Sequence, residues 1–221
     1  MNGKTVASMV AFLSSLLGCG WGSIPQPPAA RLLVLGNSIT YHAPTPSLGW
    51  NGDWGMAASS EENDFVHLTA AALHVPITRF NVLSLETTPS TASEVIKNVS
   101  GGVDDTTAVI LELGDNVPQN AKAIADFQAA LRQLISSTRP RRSLACTSTF
   151  WHHESIDDVI KRECVSGGGQ FVYIGDIRHE SGNTDSQNNT FTDPIVAGHP
   201  QNWGMREISR RLVVKITTPP Y

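Results

Sequence analysis

Nothing in this 221-residue chain gathers positive charge. Lys and Arg number 16 against 20 acidic residues, the net charge is −4, and the adjacent pair Arg141-Arg142 is too short to form a patch. Recognition of nucleic acid through a basic face is therefore excluded as a reading. Cysteine is scarce as well. The three cysteines, Cys19, Cys146 and Cys164, stand at no zinc spacing among the histidines, and the adjacent His152-His153 reads as polar loop surface, so no metal site is expected. No internal repeat or low-complexity tract is present, and no apolar run is long enough to span a bilayer comfortably. What remains is a slightly acidic chain whose length suits one α/β domain with a real core.

The first 19 residues differ from the rest. Lys4 is the only charge before Arg31, and residues 6–17 (VASMVAFLSSLL) have the length of a signal-peptide apolar region. Leu16-Leu17-Gly18-Cys19 follows and resembles a bacterial lipobox, in which the cysteine becomes the lipidated N-terminus. The expectation is a signal peptide over 1–19, a Pro- and Gly-containing linker over 20–30 and one domain over 31–221. Such a chain is exported to the periplasm, the cell surface or the medium, with membrane attachment through Cys19 where that residue is lipidated. In an oxidising compartment Cys146 and Cys164 either pair or stay as buried thiols, and the sequence leaves both open.

Apolar runs alternate with helical periodicity along the rest of the chain. Strands are predicted at 31–36, 77–84, 107–113, 143–149 and 170–176. Helices are predicted at 64–74, 122–136, 155–165 and 204–215, with Ser155 as an N-cap and Asp158 at the capping-box position. Near-continuous apolar strands between helices predict a parallel sheet covered on both faces. The fold class is α/β, a flavodoxin-like three-layer α/β/α sandwich with a five-stranded parallel sheet. Ligands of such sheets bind beyond the carboxyl ends of the strands.

The predicted strand ends are where the polar groups collect. The first ends at Gly36-Asn37-Ser38, the second runs into Ser84-Leu85-Glu86-Thr87-Thr88, and the third ends at Gly114-Asp115-Asn116. The fourth ends at Thr149-Phe150-Trp151-His152, and a loop from Asp193 to Pro200 leads into the last helix. A serine hydroxyl becomes a nucleophile when a base lies within hydrogen-bond reach and an acceptor holds that base in the right tautomer. Ser38 is the candidate nucleophile, His199 the base and Asp193 the acceptor on the same loop. The Asn116 amide and the Ser38 N–H are candidate oxyanion donors, with Gly114 allowing the turn. Trp54 and Trp151, with Trp50 and Met56 in the glycine-rich stretch 49–60, either wall a site for a sugar ring or acyl group or pack onto the body of the domain.

These blocks together resemble the SGNH (GDSL-type) hydrolases. Gly36-Asn37-Ser38-Ile39-Thr40 is similar to the family's first block, with Asn37 where Asp is commoner. Gly114-Asp115-Asn116 resembles its third block, and His199-Pro200 followed by Gly204-Met205 resembles the last, which carries the catalytic histidine. The resemblance spans roughly 31–215. It implies the flavodoxin-like sandwich and serine-based hydrolysis of esters, often acetyl or acyl groups on carbohydrates or lipids. Two positions depart from the pattern. Glu86 stands about where the second block has a glycine whose N–H joins the oxyanion hole, so the Glu86 N–H is the expected donor. Val196 stands where the family has its Asp, three residues before the histidine, which leaves the acid among Asp193, Asp176 and a backbone carbonyl.

The expected function is that of a serine esterase acting on acyl, chiefly acetyl, esters of a carbohydrate or a small molecule through an acyl-Ser38 intermediate. Such chemistry asks for no metal or organic cofactor. Two alternatives stand beside it. One is an O-acyltransferase using the same residues, and the other is a non-catalytic glycan-binding surface lipoprotein, which the Glu86 and Val196 departures favour.

Overall fold

Residues 28–180 and 191–218 are described by a computed structural model. The expected signal peptide, Cys19 and most of the linker lie outside the described residues. Five strands form one sheet: β1 (Arg31–Gly36), β2 (Ile77–Asn81), β3 (Thr107–Glu112), β4 (Ser143–Thr147) and β5 (Gln170–Val172). Their order is β2-β1-β3-β4-β5 and every neighbouring pair is parallel. The flavodoxin-like sandwich with a five-stranded parallel sheet was predicted from the sequence, the order of the strands was not, and the direction of winding reverses between β1 and β3.

Strand periodicity sorts the core into two layers. Leu33, Leu35, Val109 and Leu111 pack on one face against α3 (Ala92–Val99), α4 (Ala121–Ser137) and α5 (Glu154–Ser166). Leu32, Val34, Ala108 and Ile110 pack on the other against α1 (Phe65–Leu73) and α7 (Asn202–Thr217). Two of the longer helices begin on side-chain caps. Asp64 accepts from the His67 N–H at 2.7 Å to start α1, and Asn120 accepts from the Ala123 N–H at 3.0 Å to start α4. No helix among the described residues is long and apolar enough to cross a membrane.

Three expectations about the elements are corrected. β2 stops at Asn81, because its side chain accepts from the Leu83 N–H at 2.9 Å and turns the chain into α2 (Ser84–Thr87). The predicted strand end at Ser84 therefore lies inside a helical turn. The Ser155 cap is not formed: α5 starts at Glu154, with His153 at the cap position and no side-chain capping bond. The amphipathic helix α3 was not predicted. It buries Ala92, Ile96 and Val99, a spacing of one helical face. The open question of the cysteines is resolved as a pair, a disulfide from Cys146 on β4 to Cys164 on α5, both fully buried.

Candidate active site

The last residue of β1 is a glycine, Gly36, because β1 and β3 approach too closely there for a side chain. A Cβ on Gly36 would lie 2.6 Å from the Glu112 carbonyl oxygen and collide with the Thr40 hydroxyl. The next residue closes the turn. Asn37 is completely buried, its Oδ1 accepts from the Ile39 N–H at 3.0 Å, and its carbonyl accepts from the N–H groups of Thr40 and Tyr41 at 3.2 and 3.0 Å. Ser38 is left at the apex, half-buried, with its carbonyl accepting from the Met56 N–H at 2.9 Å. Its own N–H makes no hydrogen bond among the described residues.

His199 reaches this apex from the loop before α7. The Ser38 hydroxyl and His199 Nε2 are 2.7 Å apart. His199 Nδ1 lies 2.7 Å from the carbonyl oxygen of Ile195, which can only accept, so Nδ1 carries the proton and Nε2 presents its lone pair to Ser38. The carbonyl is aimed by α6 (Pro194–Ala197), and the His199 N–H closes the following turn on the Val196 carbonyl at 3.0 Å. Burial holds the imidazole far below its ordinary range, at about 4, with the Ile195 carbonyl pulling the other way.

Asp193 does not orient the imidazole. Its carboxylate is the N-cap of α6 and accepts from the Ile195 N–H at 2.8 Å, so it acts one step away, on the helix that aims the carbonyl. Asp176 is held elsewhere, in a two-point pair with Arg211 of α7 at 2.6 and 3.0 Å that keeps its carboxyl below the usual range. Val196 packs its side chain in a small cluster with Trp50, Met56 and Ala57, away from any polar role. Of the three acceptors left open by the sequence, the backbone carbonyl occupies the position.

Glu86 is also placed differently from the expectation. Its N–H is engaged by the Leu83 carbonyl at 2.9 Å inside α2, which removes it as an oxyanion donor. Its side chain is buried and points under the Gly114–Asn116 loop. Oε1 accepts from the N–H of Gly114 at 2.9 Å and from Asn37 Nδ2 at 3.2 Å. Oε2 accepts from the N–H of Asn116 at 2.7 Å and from Asn116 Nδ2 at 2.8 Å. Gly114 has φ +122°, and a Cβ there would press on Thr149, Ile156 and Ile160, so the loop needs its glycine. Asn116 is exposed, and the second N–H of its amide makes no bond among the described residues.

Two further acidic residues lie beside Glu86: Asp115, which the sequence reading named in the third block without a role, and Glu112, which it missed. Glu112, at the end of β3, is completely buried and accepts from the Thr40 hydroxyl at 3.1 Å. Burial and the neighbouring charges of Asp115 and Glu86 hold its carboxyl well above the usual range. Asp115 accepts from the Trp151 N–H at 3.1 Å and approaches Asn37 Nδ2 at 3.5 Å. Burial and the Glu86 charge push it up to about 7. Glu112 was legible as an anomaly, a charge inside the apolar run TAVILEL.

The tryptophans divide. Trp54 stacks edge-on against Trp50 at 5.7 Å and donates its indole N–H to the Ala58 carbonyl at 2.8 Å, so it packs onto the body of the domain and the expected substrate wall is not formed by it. Trp151 is half-buried and stands edge-on to the His199 ring, 5.1 Å between centroids. Ser38, Asn116, His199 and Trp151 are thus gathered at one rim, beyond the carboxyl ends of β1, β3 and β4.

No protein-family model matches the chain, and no curated protein matches it in sequence. Solved structures do match it. A putative GDSL-like lipase from Bacteroides uniformis is 14% identical with a TM-score of 0.54, covering 83% of this chain and 93% of its own. A member of the lipolytic G-D-S-L family from Veillonella parvula is 11% identical at a TM-score of 0.54, covering 83% and 96%. A family two carbohydrate esterase from Cellvibrio japonicus is 16% identical at 0.50, covering 87% of this chain and 63% of its own. With its parallel sheet in the order β2-β1-β3-β4-β5, this chain has the fold of the GDSL-type lipases and esterases.

Proposed function

We propose that the protein is a serine hydrolase of carboxylic esters, with Ser38 as nucleophile and His199 as general base. The observation that carries this reading is the 2.7 Å contact between the Ser38 hydroxyl and His199 Nε2, with Nδ1 fixed on the Ile195 carbonyl. An imidazole kept neutral by burial can accept the hydroxyl proton as Ser38 attacks the ester carbon. The carbonyl oxygen becomes an oxyanion and receives two N–H groups that make no bond among the described residues, that of Ser38 and the second of the Asn116 amide. Collapse returns the proton from His199 to the leaving alcohol. Water, deprotonated by the same imidazole, then releases the carboxylic acid from acyl-Ser38.

The substrate is an acetyl or other short acyl ester, carried by a carbohydrate or a small alcohol. Half-buried Trp151, edge-on beside His199, supports a sugar or acyl group at this rim, and the carbohydrate esterase among the structural neighbours points the same way. The leader and Cys19 support export with a lipid anchor, and the Cys146–Cys164 disulfide supports an oxidising compartment. A fluorophosphonate probe on the purified protein tests the assignment. Labelling at Ser38, with turnover of an acetyl ester, is expected. An unlabelled Ser38 would leave a glycan-binding protein, and turnover only with an acceptor sugar would make the protein an acyltransferase.

A further inference from the structure

We infer that the Glu86 carboxylate and the Asn37 amide are positioning residues of the oxyanion hole, the carboxylate setting which face of the Asn116 amide is presented beside Ser38. The inference rests on the ester-hydrolase reading and explains why this chain has Glu86 in place of a glycine.

An ionised carboxylate only accepts, and its two oxygens offer about four lone-pair sites. Glu86 meets four N–H donors, two on each oxygen: Gly114 N–H and Asn37 Nδ2 on Oε1, Asn116 N–H and Asn116 Nδ2 on Oε2. Donors and acceptors match in number. Two of the donors fix the main chain of the 114–116 loop, at the glycine whose φ is positive and at the asparagine itself. The third fixes the side chain of Asn116. A carboxamide can turn either its oxygen or its nitrogen toward a neighbour, and only the nitrogen can face an acceptor-only group. One N–H of that amide is thereby fixed on Glu86, and the other is left for an oxyanion. With the amide reversed, its oxygen would replace that N–H and repel the charge it should stabilise.

Asn37 is the fourth donor, and its chemistry fits no other residue of the same size. Its NH2 lies between two carboxylates, 3.2 Å from Glu86 and 3.5 Å from Asp115, while its oxygen holds the Ile39 N–H that shapes the Ser38 turn. An aspartate there would keep the bond to Ile39 and set a third acceptor against the other two. The amide at 37 and the carboxylate at 86 therefore belong together. A glutamine at 86 would be nearly isosteric and, whichever way it faced, would turn an NH2 toward two of the four donors.

The test measures steady-state hydrolysis of a small acetyl ester, with thermal unfolding alongside, for the native chain, Glu86→Gln, Asn37→Asp and the double variant Asn37→Asp/Glu86→Gln. Glu86→Gln is expected to lower kcat by about 10²-fold, the scale of one lost oxyanion donor, with KM changed by less than about threefold. Asn37→Asp is expected to lower kcat by about tenfold or more. In the double variant the amide and the carboxylate have exchanged places, so a donor faces an acceptor again. Its kcat is expected to exceed the product of the two single losses by at least about tenfold. A role in stability alone would give losses that follow unfolding temperature and no such recovery.

Native kcat in Glu86→Gln, or additive losses in the double variant, would overturn the inference. If Glu86→Gln fails to fold, Asn37→Asp carries the test, because it changes the donor and keeps the acceptor for Ile39. Native kcat in that variant would overturn the inference too. A native protein that hydrolyses no ester and is not labelled at Ser38 removes the ester-hydrolase reading and this inference with it. An active native protein with an unimpaired Glu86→Gln removes this inference alone.

Discussion

The two polar residues that flank Ser38, His199 on one side and Asn37 on the other, are held by different kinds of acceptor. On the His199 side the acceptor is a main-chain carbonyl, that of Ile195, and among the described residues no carboxylate makes a bond to the imidazole. On the Asn37 side three carboxylates crowd together, those of Glu86, Glu112 and Asp115, and two of them face the Asn37 amide. Among the described residues the carboxylates lie beneath the Gly114–Asn116 loop and none lies behind the base. A carbonyl orients an imidazole but gives little help to the imidazolium that forms, whereas a buried carboxylate fixes a loop of N–H donors firmly and makes the local charge sensitive to pH. The comparison predicts a site whose base works from a low pKa and whose oxyanion loop bears the electrostatic cost.

The largest effect should follow from removing the reacting pair itself. Ser38→Ala and His199→Ala are each expected to lower turnover of an acetyl ester by about 10⁴-fold or more, and the double variant by little further, because groups that act as a unit are not additive. Ester turnover with each purified variant checks this. Near-native rates in both would place the chemistry elsewhere and make the comparison of the two flanks irrelevant to catalysis.

The charged flank can be probed through stability. Asp115 is raised from 3.8 to about 7 in the folded protein. Between those values the folded chain holds a proton that the unfolded chain has released. Stability from this group is thus fully present below pH 3.8 and is lost as pH rises through about 7. Asp115→Asn cannot titrate. It should flatten the fall in stability over this window and raise unfolding free energy at pH 8 by on the order of 2 kcal/mol. Urea unfolding at several pH values measures it. A variant less stable than native at pH 8 would mean that the Asp115 charge is compensated and that the crowding of Glu86, Glu112 and Asp115 carries no penalty.

How these two flanks were visible from the sequence follows from their chemistry. The end of β1 was legible because the apolar run stops at a glycine, Gly36, which the structure places where β1 and β3 leave no room for a side chain. The Ser38 and His199 positions were legible because side-chain type and strand end agree. The Ile195 carbonyl was not, since every residue has one and only the path of α6 aims it. Glu86 was visible as a departure, but not as a carboxylate filled by four donors, because three of its partners come from the loop after β3 and the fourth from the turn after β1. The strand predicted through Ser84 failed for a local reason: the run after Asn81 stays apolar while the Asn81 side chain turns the chain into α2.

The uncharged flank makes its own prediction in the pH profile. An ordinary histidine, at about 6.5, would lose about tenfold of its neutral fraction by pH 5.5. His199, held at about 4 by burial, keeps its lone pair over that range. The acid limb of kcat/KM is therefore expected to stay flat from pH 7 to about 5 and to fall only on approaching pH 4. A limb centred near 6.5 that persists in Asp115→Asn would mean that the imidazolium is stabilised after all, and the contrast with the carboxylate flank would lose half its content; a limb that disappears in that variant would belong to Asp115.

The smallest effect is expected at Asp193, and it decides whether the carbonyl acts alone. Its carboxylate caps α6 by accepting from the Ile195 N–H, and the carbonyl of the same Ile195 receives His199 Nδ1–H. Asn caps a helix about as well as Asp, and its oxygen can accept the same bond. Asp193→Asn should therefore change turnover by less than about threefold and stability by less than about 0.5 kcal/mol. Asp193→Ala removes the cap, which costs about 1 kcal/mol of helix stability and loosens the turn that aims the carbonyl. Its turnover should fall more than that of Asp193→Asn and far less than that of His199→Ala. The alternative arrangement has a very different signature. Were the Asp193 carboxylate to swing onto Nδ1 in the working site, Asp193→Asn would favour the wrong tautomer and cost on the order of 10⁴-fold in turnover. Side-by-side turnover of the two Asp193 variants, with circular dichroism to follow unfolding, distinguishes them: an Asn variant close to native leaves the imidazole oriented by main chain, and an Asn variant as poor as His199→Ala restores a charged partner behind the base.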